Sequence, residues 1–157
     1  MRVPFYRQIN SHYCGAACLQ MVFTFFGKKY SQKYIGRLLG TSPDHGTKKH
    51  SLIQTARSKN FHVRIKHHAG LTDIKDALSK KLPPIVNFTP INDDFGHFAV
   101  VTGYRNRRLI FNDPWYGRNT SLPQKTFLSR WHNADKTYEG WMITIHPATR
   151  HSPPKKN

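Results

Sequence analysis

Cys14 is the residue of this sequence whose type and setting best suit covalent chemistry. It follows a polar loop and precedes three small residues, 15–17. Apolar residues then recur at helical spacing, and Gly27 is the expected cap at the end of the helix. The first turn of a helix offers a sulfur unpaired N–H groups and a positive dipole end, which favour a thiolate. The sequence therefore predicts a nucleophilic thiol at the start of a buried helix. We expect its small neighbours to let a substrate backbone come close.

The same run contains a second cysteine, Cys18, one helical turn further along. Free cysteines are often only small buried hydrophobes, so an inert role stays open for Cys14 and is the preferred one for Cys18. Both sulfurs would lie on one face of the helix, and we predict no disulfide between them. The histidines and cysteines lack the paired spacing of a zinc site, and we predict neither a metal ion nor a cofactor.

A thiol nucleophile requires a base, and the base requires a group that orients it. His97 opens an apolar segment directly after a glycine, at the mouth of a predicted strand, where a histidine can face a cleft. Asp113 directly follows the next predicted strand, and hairpin pairing would bring its carboxylate near His97. Asp113 also precedes a proline, so plain turn chemistry is the alternative role for this residue.

Two further residues near Cys14 are candidates for the site. Gln8 precedes Cys14 by six positions, and its amide could reach the active centre as a hydrogen-bond donor. A glutamine exposed on the surface is the alternative. His12 is a rival base to His97, and it is less favoured because the loop would have to turn sharply to bring its ring to Cys14.

The remaining patterns predict the elements that position these residues. Helical spacing and capping residues predict helices first, and alternating or continuous apolar segments then predict strands. The expected helices are 14–26, 32–39 with Ser31 as N-cap and Gly40 at the end, about 50–59, 73–81 with Thr72 as N-cap, and a short one within 122–131; the expected strands are 61–66, 85–88, 97–104, 108–112 and 141–145. Residues 113–117 read as a turn. This order indicates an α+β fold whose N-terminal helices pack on a mostly antiparallel C-terminal sheet.

The charge of the chain is its unusual compositional feature. Its 157 residues include 25 Lys and Arg against 8 Asp and Glu, a net charge of +17. Such a field attracts acidic partners, although the cations are dispersed and form no recognition helix or base-stacking motif. We therefore expect a solvated basic surface, and binding to nucleic acid or an anionic membrane is the less favoured interpretation.

Length and local composition predict one domain over residues 1–150 and a disordered basic tail over 151–157. No segment has the apolar length of a signal peptide core or a membrane span. The sequence thus favours a cytoplasmic protein, or one exported by a route independent of a signal peptide.

Four blocks of the sequence, in order, resemble the bacteriocin-processing, double-glycine cysteine peptidases, which have papain-like folds. The blocks are Gln8, Cys14-Gly15-Ala16-Ala17-Cys18-Leu19 with Phe26-Gly27, His97-Phe98-Ala99-Val100-Val101, and Asp113-Pro114 with Gly117. The resemblance runs from about residue 5 to residue 131. It implies that Cys14 is the nucleophile, His97 the general base, Asp113 its orienting group and Gln8 the oxyanion-hole donor.

The resemblance has departures that bear on the substrate. The best-known members are N-terminal domains of export transporters and cut leader peptides after a Gly-Gly pair, whereas we expect this chain to be a free-standing domain. Tyr13 replaces the acidic residue that the family usually has before its cysteine, and the chain is far more basic. The implied function is a cysteine peptidase acting on a peptide or protein, with a preference for glycine-containing, acidic or flexible segments. Deamidation, acyl transfer, and a catalytically silent domain that binds an acidic partner remain alternatives.

Overall fold

A computed structural model describes residues 1–132 and 140–148 of the chain. Helices occupy the N-terminal half, and strands dominate the remainder. In chain order the elements are α1 (Cys14–Phe25), α2 (Gln32–Leu39), α3 (Lys49–Ser58), β1 (Phe61–Lys66), α4 (Leu71–Ser79), β2 (Ile85–Phe88), β3 (His97–Arg105), β4 (Arg108–Asp113), β5 (Gly117–Pro123), α5 (Gln124–Arg130) and β6 (Met142–Pro147).

Helix α1 is the buried centre of the helical half. Its apolar residues surround most of the helix axis, and those from Ala16 to Leu19 are fully buried. Gly27 follows the C-cap with a φ of +81°, and its N–H donates to the carbonyl of Thr24 at 2.9 Å. The predicted buried helix closed by Gly27 is confirmed.

The strands form one six-stranded antiparallel sheet with the order β1-β6-β2-β3-β4-β5. Strands β3 and β4 form the predicted hairpin, joined by a tight turn at residues 106–107. Strand β6, the last in the chain, lies between β1 and β2. The position of β6 joins the two ends of the described chain into one sheet.

Helices cover both faces of this sheet. On one face α1, α2 and α3 pack against residues such as Val100 and Ile143. On the other face α4 and α5 pack against Val101 and Phe111, and α5 contributes Phe127 to this second core. Because neighbouring residues of a strand point to opposite faces, adjacent residues of β3 enter different cores. The predicted α+β arrangement is confirmed, and it places the start of α1 against the sheet near the start of β3.

Two local predictions are wrong. Helix α4 begins at Leu71 with Gly70 as its N-cap, and not after Thr72. The carboxylate of Asp73 accepts the backbone N–H of Gly70 at 2.8 Å, so a side chain inside the first turn takes the role expected of the threonine. Strand β5 was not predicted, because its exposed edge position allows a polar sequence without apolar alternation.

The predicted basic tail, 151–157, lies outside the described residues. None of the helices in the described part of the chain combines the length and apolarity needed to cross a membrane.

Candidate active site

Cys14 is the first residue of α1 and lies partly exposed on the wall of a cleft of about 930 Å³. The N-cap residue, Tyr13, forms no side-chain cap, and the first turn contains no acidic residue. The amide groups at the helix start therefore keep their capacity to stabilise negative charge near the sulfur.

The small residues after Cys14 serve packing. They are buried, and a Cβ added to Gly15 would lie 2.7 Å from Oγ1 of Thr47. The Tyr13 ring similarly fills the space where Gly36 of α2 has no side chain. Our expectation that these small residues let a substrate backbone approach is wrong for Gly15, because Thr47 occupies the space beside it. Their size instead fixes the start of α1 against α2 and the loop before α3.

His97, at the start of β3, lies between Cys14 and Asp113. Its Nε2 and the Oδ1 of Asp113 are 2.8 Å apart. The imidazole and the Cys14 side chain line the same cleft, and their interaction contributes to the raised pKa of His97. Since Nε2 is taken by Asp113, Nδ1 is the ring nitrogen left for the thiol.

Asp113 is fixed by its own turn. Its Oδ1 accepts the backbone N–H groups of Trp115 at 2.9 Å and Tyr116 at 3.0 Å, and its side chain is only 4% exposed. The turn chemistry and the contact with His97, which the sequence left as alternatives, thus occur at the same oxygen. The turn holds the carboxylate in place for the imidazole.

The electrostatics of this arrangement favour an imidazolium. Burial lowers the pKa of His97, but hydrogen bonds and charge interactions with Asp113 and Cys14 outweigh it and raise the pKa to about 10. At neutral pH the ring is therefore a cation in the cleft that Cys14 also lines.

Cys18 has the opposite environment. It is fully buried in the helical core, and neither cysteine forms a disulfide. Burial, reinforced by nearby Cys14 and Asp113, raises the pKa of the Cys18 thiol well above its ordinary value. The predictions of an inert Cys18 and of no disulfide agree with this structure.

Gln8 lies beside the cleft and is connected to the Asp113 turn. Its backbone N–H donates to the carbonyl of Pro114 at 3.0 Å, and its Nε2 donates to the carbonyl of Asn10 at 2.7 Å. Its Oε1 is buried and has no hydrogen-bond partner among residues 1–132 and 140–148. The reverse orientation would place Oε1 against the Asn10 carbonyl, two acceptors in contact, so the Asn10 bond fixes the amide with Nε2 towards it.

His12, the rival base, also lines the cleft. Its ring packs edge-on against Tyr13, with centroids 5.2 Å apart, and it forms no hydrogen bond to Cys14 in the described part of the chain. Of the two rings, His97 is the one that contacts a carboxylate, that of Asp113, and the one whose pKa is raised by interaction with Cys14.

Arg130 holds the loop that precedes His97 in place. The guanidinium of Arg130, at the end of α5, donates to the carbonyls of Thr89 at 2.9 Å, Pro90 at 2.6 Å and Asp93 at 3.1 Å. These carbonyls belong to the connection between β2 and β3. Arg130 therefore restrains the segment that ends at His97.

Several residues of the cleft escaped the sequence analysis. They lie on loops, on strand β2 or at the start of α3, and only the folded chain brings them beside Cys14: Lys49, Asn87, Phe95, Trp115 and Tyr116. Asn87 had a recognisable signal, since it is a polar residue inside a short apolar strand. Within the described ranges, no group of three or more His, Cys, Asp or Glu residues is arranged to hold a metal ion.

Comparison with known proteins places this geometry in a family. The family model described as "Peptidase C39 family" matches residues 2–149. This chain belongs to the peptidase C39 family. A curated relative is the transport/processing ATP-binding protein ComA of Streptococcus pneumoniae R6, 31% identical over 126 residues, which are 79% of this chain and 17% of ComA. This C39 chain thus matches less than a fifth of that relative's length.

Solved structures agree with the family assignment. The peptidase domain of Streptococcus ComA matches with a TM-score of 0.76 and 25% identity, covering 93% of this chain and 99% of that domain. A double glycine motif protease from an AMS/PCAT transporter, solved with a leader peptide, matches with a TM-score of 0.70 and 22% identity over 94% of this chain and 93% of its own. The predicted papain-like fold is confirmed, and by family this C39 chain is a cysteine peptidase.

Proposed function

We propose that this C39 peptidase cleaves peptide bonds with Cys14 as nucleophile, His97 as general base and acid, and Asp113 as the group that orients His97. The observation that carries the proposal is the 2.8 Å contact between Nε2 of His97 and Oδ1 of Asp113, with His97 lining the same cleft as Cys14. The raised pKa of His97 supports it, because an imidazolium beside the sulfur both stabilises a thiolate and holds a proton for a leaving group.

The proposed reaction has two stages. The Cys14 thiolate attacks the peptide carbonyl carbon, and the resulting tetrahedral oxyanion collapses to a thioester as the C–N bond breaks. His97 gives its proton to the departing amine. Neutral His97 then removes a proton from water, whose oxygen attacks the thioester. The second collapse breaks the C–S bond, releases the acid product and leaves the Cys14 thiolate beside the protonated His97.

Two donors could hold the oxyanion. One is the backbone N–H of Cys14 at the start of α1. The other is the Gln8 side chain, whose Nε2 has two hydrogens and uses one of them for Asn10. The bond to Asn10 fixes the orientation of this amide before substrate binds, which is what preorganised stabilisation requires.

For the substrate we propose a peptide or protein segment with glycine beside the cleaved bond. The support comes from relatives, one of which is a double glycine motif protease solved with a leader peptide. The cleft also has exposed aromatic walls, Phe95, Trp115 and Tyr116, suited to apolar residues of a bound peptide. The net charge of +17 would steer acidic segments towards the protein, although the cleft itself carries Asp44 and Asp93 as well as Lys49.

The test is cleavage of a peptide library that contains Gly-Gly and non-glycine sites, with products identified by mass spectrometry at low and high salt. We expect cut fragments with the wild-type protein and none with Cys14→Ala. Cys18→Ala, its matched control on the same helix, should still cleave. Conversion of a side-chain amide to an acid without chain cleavage would instead indicate a deamidase. Cuts after bulky or basic residues at rates independent of salt would contradict both the glycine and the acidic preference.

A further inference from the structure

Asn87 is a polar residue in an otherwise apolar strand at the centre of the sheet. Strand β2 consists of Ile85, Val86, Asn87 and Phe88, and all four are buried, Asn87 with 7% of its surface exposed. The Asn87 carboxamide forms no hydrogen bond with any residue in the ranges 1–132 and 140–148. Gln8 Oε1 and Ser42 Oγ are the fully buried unpaired side-chain atoms of the described residues, so the Asn87 amide atoms keep some contact with solvent. A polar side chain without a protein partner in an otherwise apolar strand still calls for an explanation.

The position of this amide supplies the explanation. Asn87 pairs with Phe98, the residue after His97, and its side chain lines the same cleft as Cys14. A Cβ added to Gly96 would lie 2.8 Å from Oδ1 and 3.4 Å from Nδ2 of Asn87. The absence of a side chain at position 96 therefore makes space for the carboxamide beside His97.

We propose that the Asn87 carboxamide binds the substrate main chain next to the cleaved bond, with Nδ2 donating to a carbonyl and Oδ1 accepting an N–H. This inference rests on the proposed peptidase function. A carboxamide is neutral and carries one acceptor and two donor hydrogens, so it complements a peptide group better than it complements a charged side chain. Binding would exchange the solvent contacts of this amide for hydrogen bonds with the substrate main chain.

The test uses Asn87→Leu, which keeps the number and branching of the side-chain heavy atoms and removes both hydrogen-bonding atoms. Asn92→Leu, the same change at an exposed asparagine of the following loop, is the matched control. For a peptide that the wild type cleaves, we expect Asn87→Leu to lower kcat/KM by about 10-fold or more and Asn92→Leu to leave it nearly unchanged.

A second measurement separates substrate binding from a structural role. In a series of substrates, each amide near the cut is replaced in turn by an ester, which removes one N–H. We expect one position at which the ester lowers kcat/KM for the wild type about 10-fold but has little further effect in Asn87→Leu, because the partner is already gone. A structural role would not make the effect of the ester depend on residue 87.

Thiol alkylation keeps this inference distinct from the proposed function. Iodoacetamide needs no main-chain contact, so Cys14 in Asn87→Leu should react at the wild-type rate. Loss of cleavage with normal alkylation supports the role of Asn87, whereas a wild type that neither alkylates at Cys14 nor cleaves would refute the peptidase itself. Normal kcat/KM in Asn87→Leu, or an ester effect that persists in it, overturns the inference. Asn87→Ala serves for the same measurements if the leucine variant does not fold.

Discussion

Replacing Asp113 by asparagine tests how the carboxylate acts on His97. Asparagine keeps a side-chain oxygen for the N–H groups of Trp115 and Tyr116, so the turn should survive. What is lost is the negative charge 2.8 Å from Nε2 of His97. The substitution thereby separates the orienting role of Asp113 from its role in the turn.

The size of the effect follows from the pKa of His97. Its rise from 6.5 to about 10 corresponds to about 5 kcal/mol in favour of the imidazolium. Asp113 and Cys14 share this stabilisation against the opposing cost of burial. Removal of the Asp113 charge should therefore cost about 2–3 kcal/mol, which is about a 30- to 150-fold loss in kcat/KM.

Two assays measure this loss. One is kcat/KM on a cleaved peptide, and the other is the rate of Cys14 alkylation across a range of pH. We expect Asp113→Asn to slow both, and most clearly above pH 8, because the pKa of His97 falls by about 1.5–2 units and the imidazolium is lost at a lower pH than in the wild type. Asp44→Asn, which removes an exposed carboxylate of the same cleft, should change neither by more than a small factor. An alkylation profile of Asp113→Asn identical to that of the wild type would refute the assignment.

The contact between His97 and Asp113 also makes the free energy of unfolding depend on pH. The folded-state pKa of His97 lies above its unfolded value, so this contribution is complete below pH 6.5 and is lost as the pH rises towards about 10. The unfolding free energy of the wild type should therefore exceed that of Asp113→Asn most at about pH 6 and by less at about pH 10. Urea unfolding at the two pH values measures the difference, and a gap that widens with pH would contradict the sign.

Three further outcomes are expected. Gln8→Ala should lower kcat by about 100- to 1,000-fold while Cys14 alkylation stays near the wild-type rate, and normal turnover would make Gln8 merely structural. In the wild type, alkylation at neutral pH should modify Cys14 much faster than Cys18, because burial raises the pKa of the Cys18 thiol. Mass-spectrometric mapping of the alkylated peptides measures the two rates, and equal rates in the folded protein would contradict this expectation. Arg130→Ala should slow Cys14 alkylation and lower the unfolding free energy by about 1–3 kcal/mol, since three loop carbonyls before His97 lose their donor. A variant with wild-type stability and reactivity would show that the loop needs no clamp.

Local patterns in the sequence were enough for most elements of the fold. The buried helix closed by Gly27 and the helix that starts at Ser31 and ends at Gly40 depend on residues within a few positions of one another. Capping and periodicity depend on residues close together in the chain, so they can be recognised from the sequence alone. The errors at Thr72 and β5 arose where a neighbouring side chain or an exposed edge replaced the usual local signal.

The candidate residues were also accessible from the sequence, because each has a type suited to its role and a position at the end of a predicted element. Cys14 begins a helix, His97 begins a strand, and Asp113 ends the partner strand. Hairpin pairing is local enough to predict that the last two lie close together. Cys14 is more than eighty residues from His97 in the chain, so its place beside His97 was inferred from the family resemblance. In the folded chain the packing of α1 on β3 explains this proximity.

The tertiary structure alone decided the surroundings of the thiol. The space beside Gly15 is filled by Thr47, and the buried amide of Asn87 reaches the cleft because Gly96 has no side chain. Strand β6 enters the sheet between β1 and β2, although more than fifty residues separate it from β2. These contacts join segments far apart in the chain, and which of them form depends on how all the apolar faces pack at once. No local pattern in the sequence predicts this packing, so the residues that line the cleft can be identified only from the folded structure.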